Sequence, residues 1–177
     1  MRIALTIFMV AAQVGLAANL MNLREDGSFT VKDIPQQWGA ATNGLCCAIS
    51  IPGTNHAVAD GLPLELFFKN VGEKTMLFTN PYDLRGEPWI WTLGISGPQG
   101  PVGYRGDTVV YGLTLRDLKP GEIVRYTGTV VSPAWDISAK GRYTLKVKYE
   151  ATGAKPGDAR PIWGGQIHSN QAEGVLK

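Results

Sequence analysis

The feature that most constrains this chain is Tyr143-Thr144-Leu145-Lys146-Val147-Lys148-Tyr149-Glu150, where apolar and polar side chains alternate for eight positions without a fault. Successive side chains of a strand point to opposite faces of its sheet, so this period of two defines a strand with one face in a core and the other in water. Such a strand cannot stand alone. It needs hydrogen-bonded neighbours and a second apolar layer over its inner face.

Other segments repeat the pattern. In 62–69, Leu62, Leu64, Leu66 and Phe68 share one face, with Pro63, Glu65, Phe67 and Lys69 opposite; in 45–51 the inner set is Leu45, Cys47, Ile49 and Ile51; in 89–95 it is Trp89, Trp91, Leu93 and Ile95. Strand-like runs also cover 107–115, 123–131 and 162–167, with a short one at Phe29-Thr30-Val31 and apolar Val175 and Leu176 near the end. Asn70-Val71-Gly72-Glu73 reads as a turn that returns Lys74–Phe78 against 62–69 as a hairpin. Leu118–Glu122 and Ser138–Arg142 are further turns, and Gly97-Pro98-Gln99-Gly100-Pro101 is expected to interrupt regular structure. The 22 Gly and 11 Pro fit a chain of short strands and tight turns.

Seven to nine such strands, with turn signals at intervals of about 8–12 residues, predict an all-β, antiparallel two-sheet sandwich; a closed barrel is the competing architecture. At 177 residues the chain suits one domain.

The N-terminus reads differently. Met1-Arg2 gives a positive start, Ile3–Ala12 opens an apolar run that continues past Gln13 to Ala18, and Gly15, Ala17 and Ala18 supply small residues for cleavage. This is the pattern of a secretory signal helix over 1–18, followed by a polar leader over 19–37 and a sandwich domain over 38–177. The expectation is export to the periplasm or cell exterior. An uncleaved membrane anchor is the alternative, since Ile3–Leu20 reaches the lower limit of a membrane span, about 18 residues.

With a formal charge of +2, the chain lacks the clustered cations that nucleic-acid binding requires. The two cysteines, Cys46 and Cys47, are adjacent. Neighbours on a strand point to opposite faces, so a bridge between them would strain the backbone, and the expected state is one buried thiol and one on the other face.

Three stretches together resemble the immunoglobulin-like sandwich domains of exported bacterial proteins. They are Leu62–Val71 ending in Asn70-Val71-Gly72, Leu118-Lys119-Pro120-Gly121-Glu122 leading into a strand, and Gly141–Leu145 followed by Trp163-Gly164-Gly165 and Ser169-Asn170. The resemblance spans about Trp38–Val175 and implies an immunoglobulin-like sandwich without implying a function. A weaker likeness is to bacterial sandwich-type proteinase-inhibitor domains, through Asn80-Pro81-Tyr82-Asp83, Gly86–Trp91 and Leu118–Glu122. The chain departs from those by its 97–106 insertion, and no inhibitory loop carries over.

Catalytic chemistry finds little footing. Nucleophilic catalysis needs a Ser or Cys beside an oriented base, and His56 and His168 are the only imidazoles. A copper site would need both histidines and both cysteines to converge from distant segments. Glu65 and Glu150 fall on the polar sides of their strands, where a solvated charge is the simple reading. The expectation is a non-catalytic binding or structural module without cofactor or metal, one form of which is an accessory subunit of a cell-envelope complex. An inhibitor or an exported copper-handling protein is the alternative. The partner would be another envelope protein or an extracellular polymer, and a membrane only if the N-terminal segment is retained. Candidate contacts are Phe67, Tyr82, Trp89, Trp91 and Tyr104, with core packing the alternative for Trp89 and Trp91, together with the loops 80–88, 97–106 and 153–161.

Overall fold

The alternating runs pair as antiparallel ladders. The structure, a computed structural model, describes residues 24–80, 91–105, 115–132, 134–153 and 162–177. The signal segment 1–18 and the start of the leader lie outside the described residues. Eleven strands are present among those described: β1 (Arg24–Glu25), β2 (Leu45–Ser50), β3 (Asn55–His56), β4 (Leu62–Asn70), β5 (Met76–Thr79), β6 (Trp91–Gly97), β7 (Gly100–Val102), β8 (Leu115–Leu118), β9 (Ile123–Val130), β10 (Gly141–Thr152) and β11 (Gly164–Leu176). The excess over seven to nine comes from pieces too short to show a period. Phe29–Val31 is not a strand; β1 precedes it and a 3-10 turn, Val31–Asp33, follows.

The strands form a four-stranded sheet in the order β1-β9-β4-β2, a five-stranded sheet in the order β3-β11-β10-β6-β7, and a separate pair, β5-β8. One pairing is parallel, β3 with β11, so the sheets are not wholly antiparallel. The two larger sheets share one core, as a sandwich requires: Leu62, Leu64, Leu66 and Phe68 of β4 and Val124 and Tyr126 of β9 join Tyr143, Leu145, Val147 and Tyr149 of β10. At its centre the Phe68 ring meets Tyr149 at 5.0 Å, Phe78 at 5.4 Å and Tyr126 at 6.0 Å. Each buried hydroxyl finds an acceptor, Tyr149 on the Thr79 carbonyl and Tyr126 on the Asn80 side chain.

The expected hairpin of 62–69 with 74–78 does not form. β4 pairs with β2 and β9, whereas β5 crosses to β8. Asn70, fully buried, redirects the chain: its Nδ2 donates to the carbonyls of Lys74 (2.9 Å) and Leu118 (2.8 Å), and its Oδ1 accepts from Gly72 N–H (2.9 Å). A second departure is at Gly97–Pro101. This segment turns tightly at Pro98-Gln99 and returns as β7, with Gly97 opposite Gly100 and Ile95 opposite Val102. Half of the expected 97–106 loop is therefore a hairpin.

The sheets are stitched along the seam between β2 and β11. A bulge sets Ser169 and Asn170 opposite Val147, shifting the register between Lys146 and Lys148. The Ser169 hydroxyl takes the Val147 N–H at 2.9 Å, and Asn170 turns to β2, accepting from Ile49 N–H (2.8 Å) and donating to Ile49 C=O (3.0 Å). Gly39 closes the same seam. Its N–H donates to Cys47 O (2.9 Å), and its backbone passes so near β11 that a Cβ would lie 1.6 Å from His168 O.

Candidate functional site

Of the five expected contact residues, Tyr104 is the one whose side chain the structure describes as exposed. The chain leaves β7, passes Gly103 and lays Tyr104 antiparallel to Trp135 as a single bridge, with Arg105 N–H donating to Ala134 O at 2.8 Å. The Trp135 backbone is held in turn, its N–H on Val131 O (3.1 Å) and its carbonyl accepting from Ile137 N–H (2.8 Å). Two non-repetitive segments thus fix each other without a continuous ladder.

The Tyr104 ring lies 5.0 Å from that of Trp135 at an interplanar angle of 56°. Trp135 is sunk into the core at 8% exposure and Tyr104 rises from it at 36%. At the rim, Arg105 and Asp136 pair through Nη2 and Oδ2 at 2.6 Å, both side chains open to solvent. An exposed pair of this kind contributes at most about 1 kcal/mol to stability, so its charges are free to serve a ligand at little cost to the fold. The corner offers an aromatic surface on a rigid base flanked by one cation and one anion.

Phe67 is not exposed, contrary to expectation. It does lie on the outer face of β4, yet its exposure is zero, because Phe29 of the leader meets it edge-on at 6.1 Å. Tyr82 and Trp89 lie outside the described residues. The backbone of Trp91 pairs with Tyr149, and its side chain also lies outside what the structure describes. Most of loops 80–88 and 153–161 falls outside as well.

Cys46 and Cys47 are free and both buried, on opposite faces of β2. Burial pushes both thiols up, Cys47 to about 12 with a further push from Cys46, so neither supplies a thiolate near neutrality. His168 is exposed beside Gln166, while His56 sits in β3 next to the chain's last residues. Among the described residues no three of His, Cys, Asp and Glu gather where they would hold a metal ion. Glu150 is a surface charge paired with Lys148, but Glu65 is not a free solvated one: it accepts from Ser50 and meets Arg125 at 3.2 Å.

Trp135 and Arg125 escaped the sequence reading. Trp135 lies in Ser132-Pro133-Ala134-Trp135-Asp136, which has no period, and the position of Arg125 within an apolar run was its only signal. Among the described residues no helix is long and apolar enough to cross a membrane. No protein-family model, curated protein or solved structure matches this chain.

Proposed function

We propose that the chain is an exported, non-catalytic binding module on an immunoglobulin-like sandwich, serving as an accessory subunit that holds another envelope protein or an extracellular polymer. Export rests on the charged, apolar and small-residue order of 1–18. The immunoglobulin-like reading is supported by Tyr143, near the start of β10, whose hydroxyl donates back to Ala139 O at 2.7 Å. That contact has the form of the tyrosine corner of such domains.

The observation that carries the binding reading is the Tyr104–Trp135 corner. Aromatic anchors carry much of the energy of protein interfaces, and the rigid Trp135 base under the partly exposed Tyr104 ring lowers the entropy that binding must overcome. The test replaces Tyr104 by a photoreactive phenylalanine analogue in the native host and, separately, does the same at Lys146 on the polar face of β10. Cross-linked adducts from position 104 and none from 146 are expected. Equal adducts from both, or substrate turnover by the purified protein, would overturn the reading.

A further inference from the structure

The outer face of the four-stranded sheet carries a groove that the chain fills with its own leader. Cross-strand pairing sets Arg125, Phe67 and Ala48 in one row over β9, β4 and β2, and all three are buried although the face points away from the core. Over Arg125 and Phe67 the cover comes from residues 24–29. β1 adds two residues to the edge of β9, and Asp26 N–H continues the ladder to Arg125 O at 2.9 Å. The Asp26 carboxylate meets the Arg125 guanidinium at 2.5 Å, Ser28 O accepts from it at 3.3 Å, and the Phe29 ring lies 5.4 Å from it while packing on Phe67.

Groove and filler match as lock and key. The groove presents an open strand edge, a buried cation and an aromatic shelf; the filler presents an extended backbone, a carboxylate at Asp26 and an aromatic ring three residues later. The link between the key and the body begins with a turn that is not packed. The 3-10 turn Val31–Asp33 buries no side chain, Val31 is 84% exposed, and the chain leaves it through Ile34 in an extended conformation. The docking contacts therefore do not depend on which chain supplies the key. Tethering merely sets the effective concentration at which the chain's own key competes.

We infer that this groove is a strand-acceptor site that takes residues 24–29 of a second copy of this chain, so that two copies exchange N-terminal arms in a reciprocal dimer. A second copy is the favoured occupant because it carries the same carboxylate and aromatic at the spacing the groove fits. An empty groove would bare Phe67 and leave Arg125 with Glu65 as its remaining carboxylate, so the site is filled in either state.

The test uses the register Arg24 opposite Thr127, at the first residue of the docked segment and two before Asp26, an antiparallel pair close enough for a disulfide. Full-length chains carrying R24C alone and T127C alone are mixed at rising concentration, oxidised mildly and mapped by mass spectrometry. A 24–127 disulfide between chains, growing with concentration, is the expected result, with a T127C and K146C mixture giving far less. A chain carrying both R24C and T127C, kept dilute, should bridge within itself. The inference is overturned if that double variant bridges internally while the mixture yields no interchain product at any concentration. Equal capture by K146C, or failure of the double variant to bridge, overturns it too.

Discussion

Asn170→Ala tests the seam directly. The side chain makes two hydrogen bonds to one residue of the facing strand, 2.8 Å from Ile49 N–H and 3.0 Å to Ile49 C=O, and Ile49 is 1% exposed. Removing both leaves a buried donor and a buried acceptor without partners, at about 1–3 kcal/mol each. Part of this is offset by the side-chain freedom that Ala no longer loses, under about 1 kcal/mol. The net expectation is a loss of about 3 kcal/mol, or roughly 10 °C in Tm for a domain of this size. Urea denaturation is the assay, and an unchanged m-value would show that the native and unfolded surfaces are unaltered. Asn170→Asp keeps the acceptor for Ile49 N–H but turns a carboxylate toward Ile49 C=O, so above about pH 5 it should be no more stable than Ala. Gln171→Ala, one residue on and exposed, should stay within about 0.5 kcal/mol of the parent. A loss below about 0.5 kcal/mol for Asn170→Ala, with m unchanged, would refute the claim that this amide joins the sheets.

Asn70→Ala should cost about 2–4 kcal/mol in the same assay, because three side-chain hydrogen bonds at a fully buried turn are lost together. Val71→Ala next to it is exposed and should be near neutral. The Ser28 hydroxyl, Ser28 N–H and the Arg125 guanidinium hold Asp26 below its ordinary carboxylate value. A depressed folded pKa contributes stability that is present above the unfolded value and lost as pH falls through the folded one. The stability gap between the parent and Asp26→Asn should thus close as pH falls below the ordinary carboxylate range, and a gap independent of pH would refute the hydrogen-bonded, paired carboxylate. Since burial raises both thiols, Cys46 and Cys47 should resist a disulfide-exchange reagent near neutral pH until denaturant is added; rapid native labelling would contradict their placement.

Where alternation was long and one face was apolar, as in β4 and β10, the sequence predicted the strand and its inner set, because local side-chain direction depends on nothing beyond the chain's own pleat. Partner choice is a different quantity. The turn at Asn70–Glu73 was legible as a turn, but the same local chemistry serves a hairpin and a crossover alike. What sends β5 to β8 is the Asn70 amide reaching Leu118 O, 48 residues away. The Gly97–Gly100 hairpin was missed for the opposite reason: Gly and Pro at high density read as a break, while a tight turn between short strands needs those same residues.

Phe67 shows why contact residues are harder to read than strands. Alternation establishes that it lies outside the core, and it does, yet outer-facing means exposed only if nothing crosses that face. What crosses is Phe29, held by an ion pair between Asp26 and Arg125 that are 99 residues apart. Tyr104 was legible as an aromatic outside any strong strand, but Trp135, which gives it a rigid base, was not, since an isolated bridge leaves no periodic trace. The consequence is a change in where recognition belongs on this molecule. A sheet face carrying an exposed Phe would have been a general adhesive surface. With that face already occupied by an acidic and aromatic segment of the chain, we assign its specificity to that segment and a different partner to the corner around Tyr104. The two surfaces should therefore respond separately: changes at Asp26 or Phe29 should alter self-association, and changes at Tyr104 should alter capture of a foreign partner.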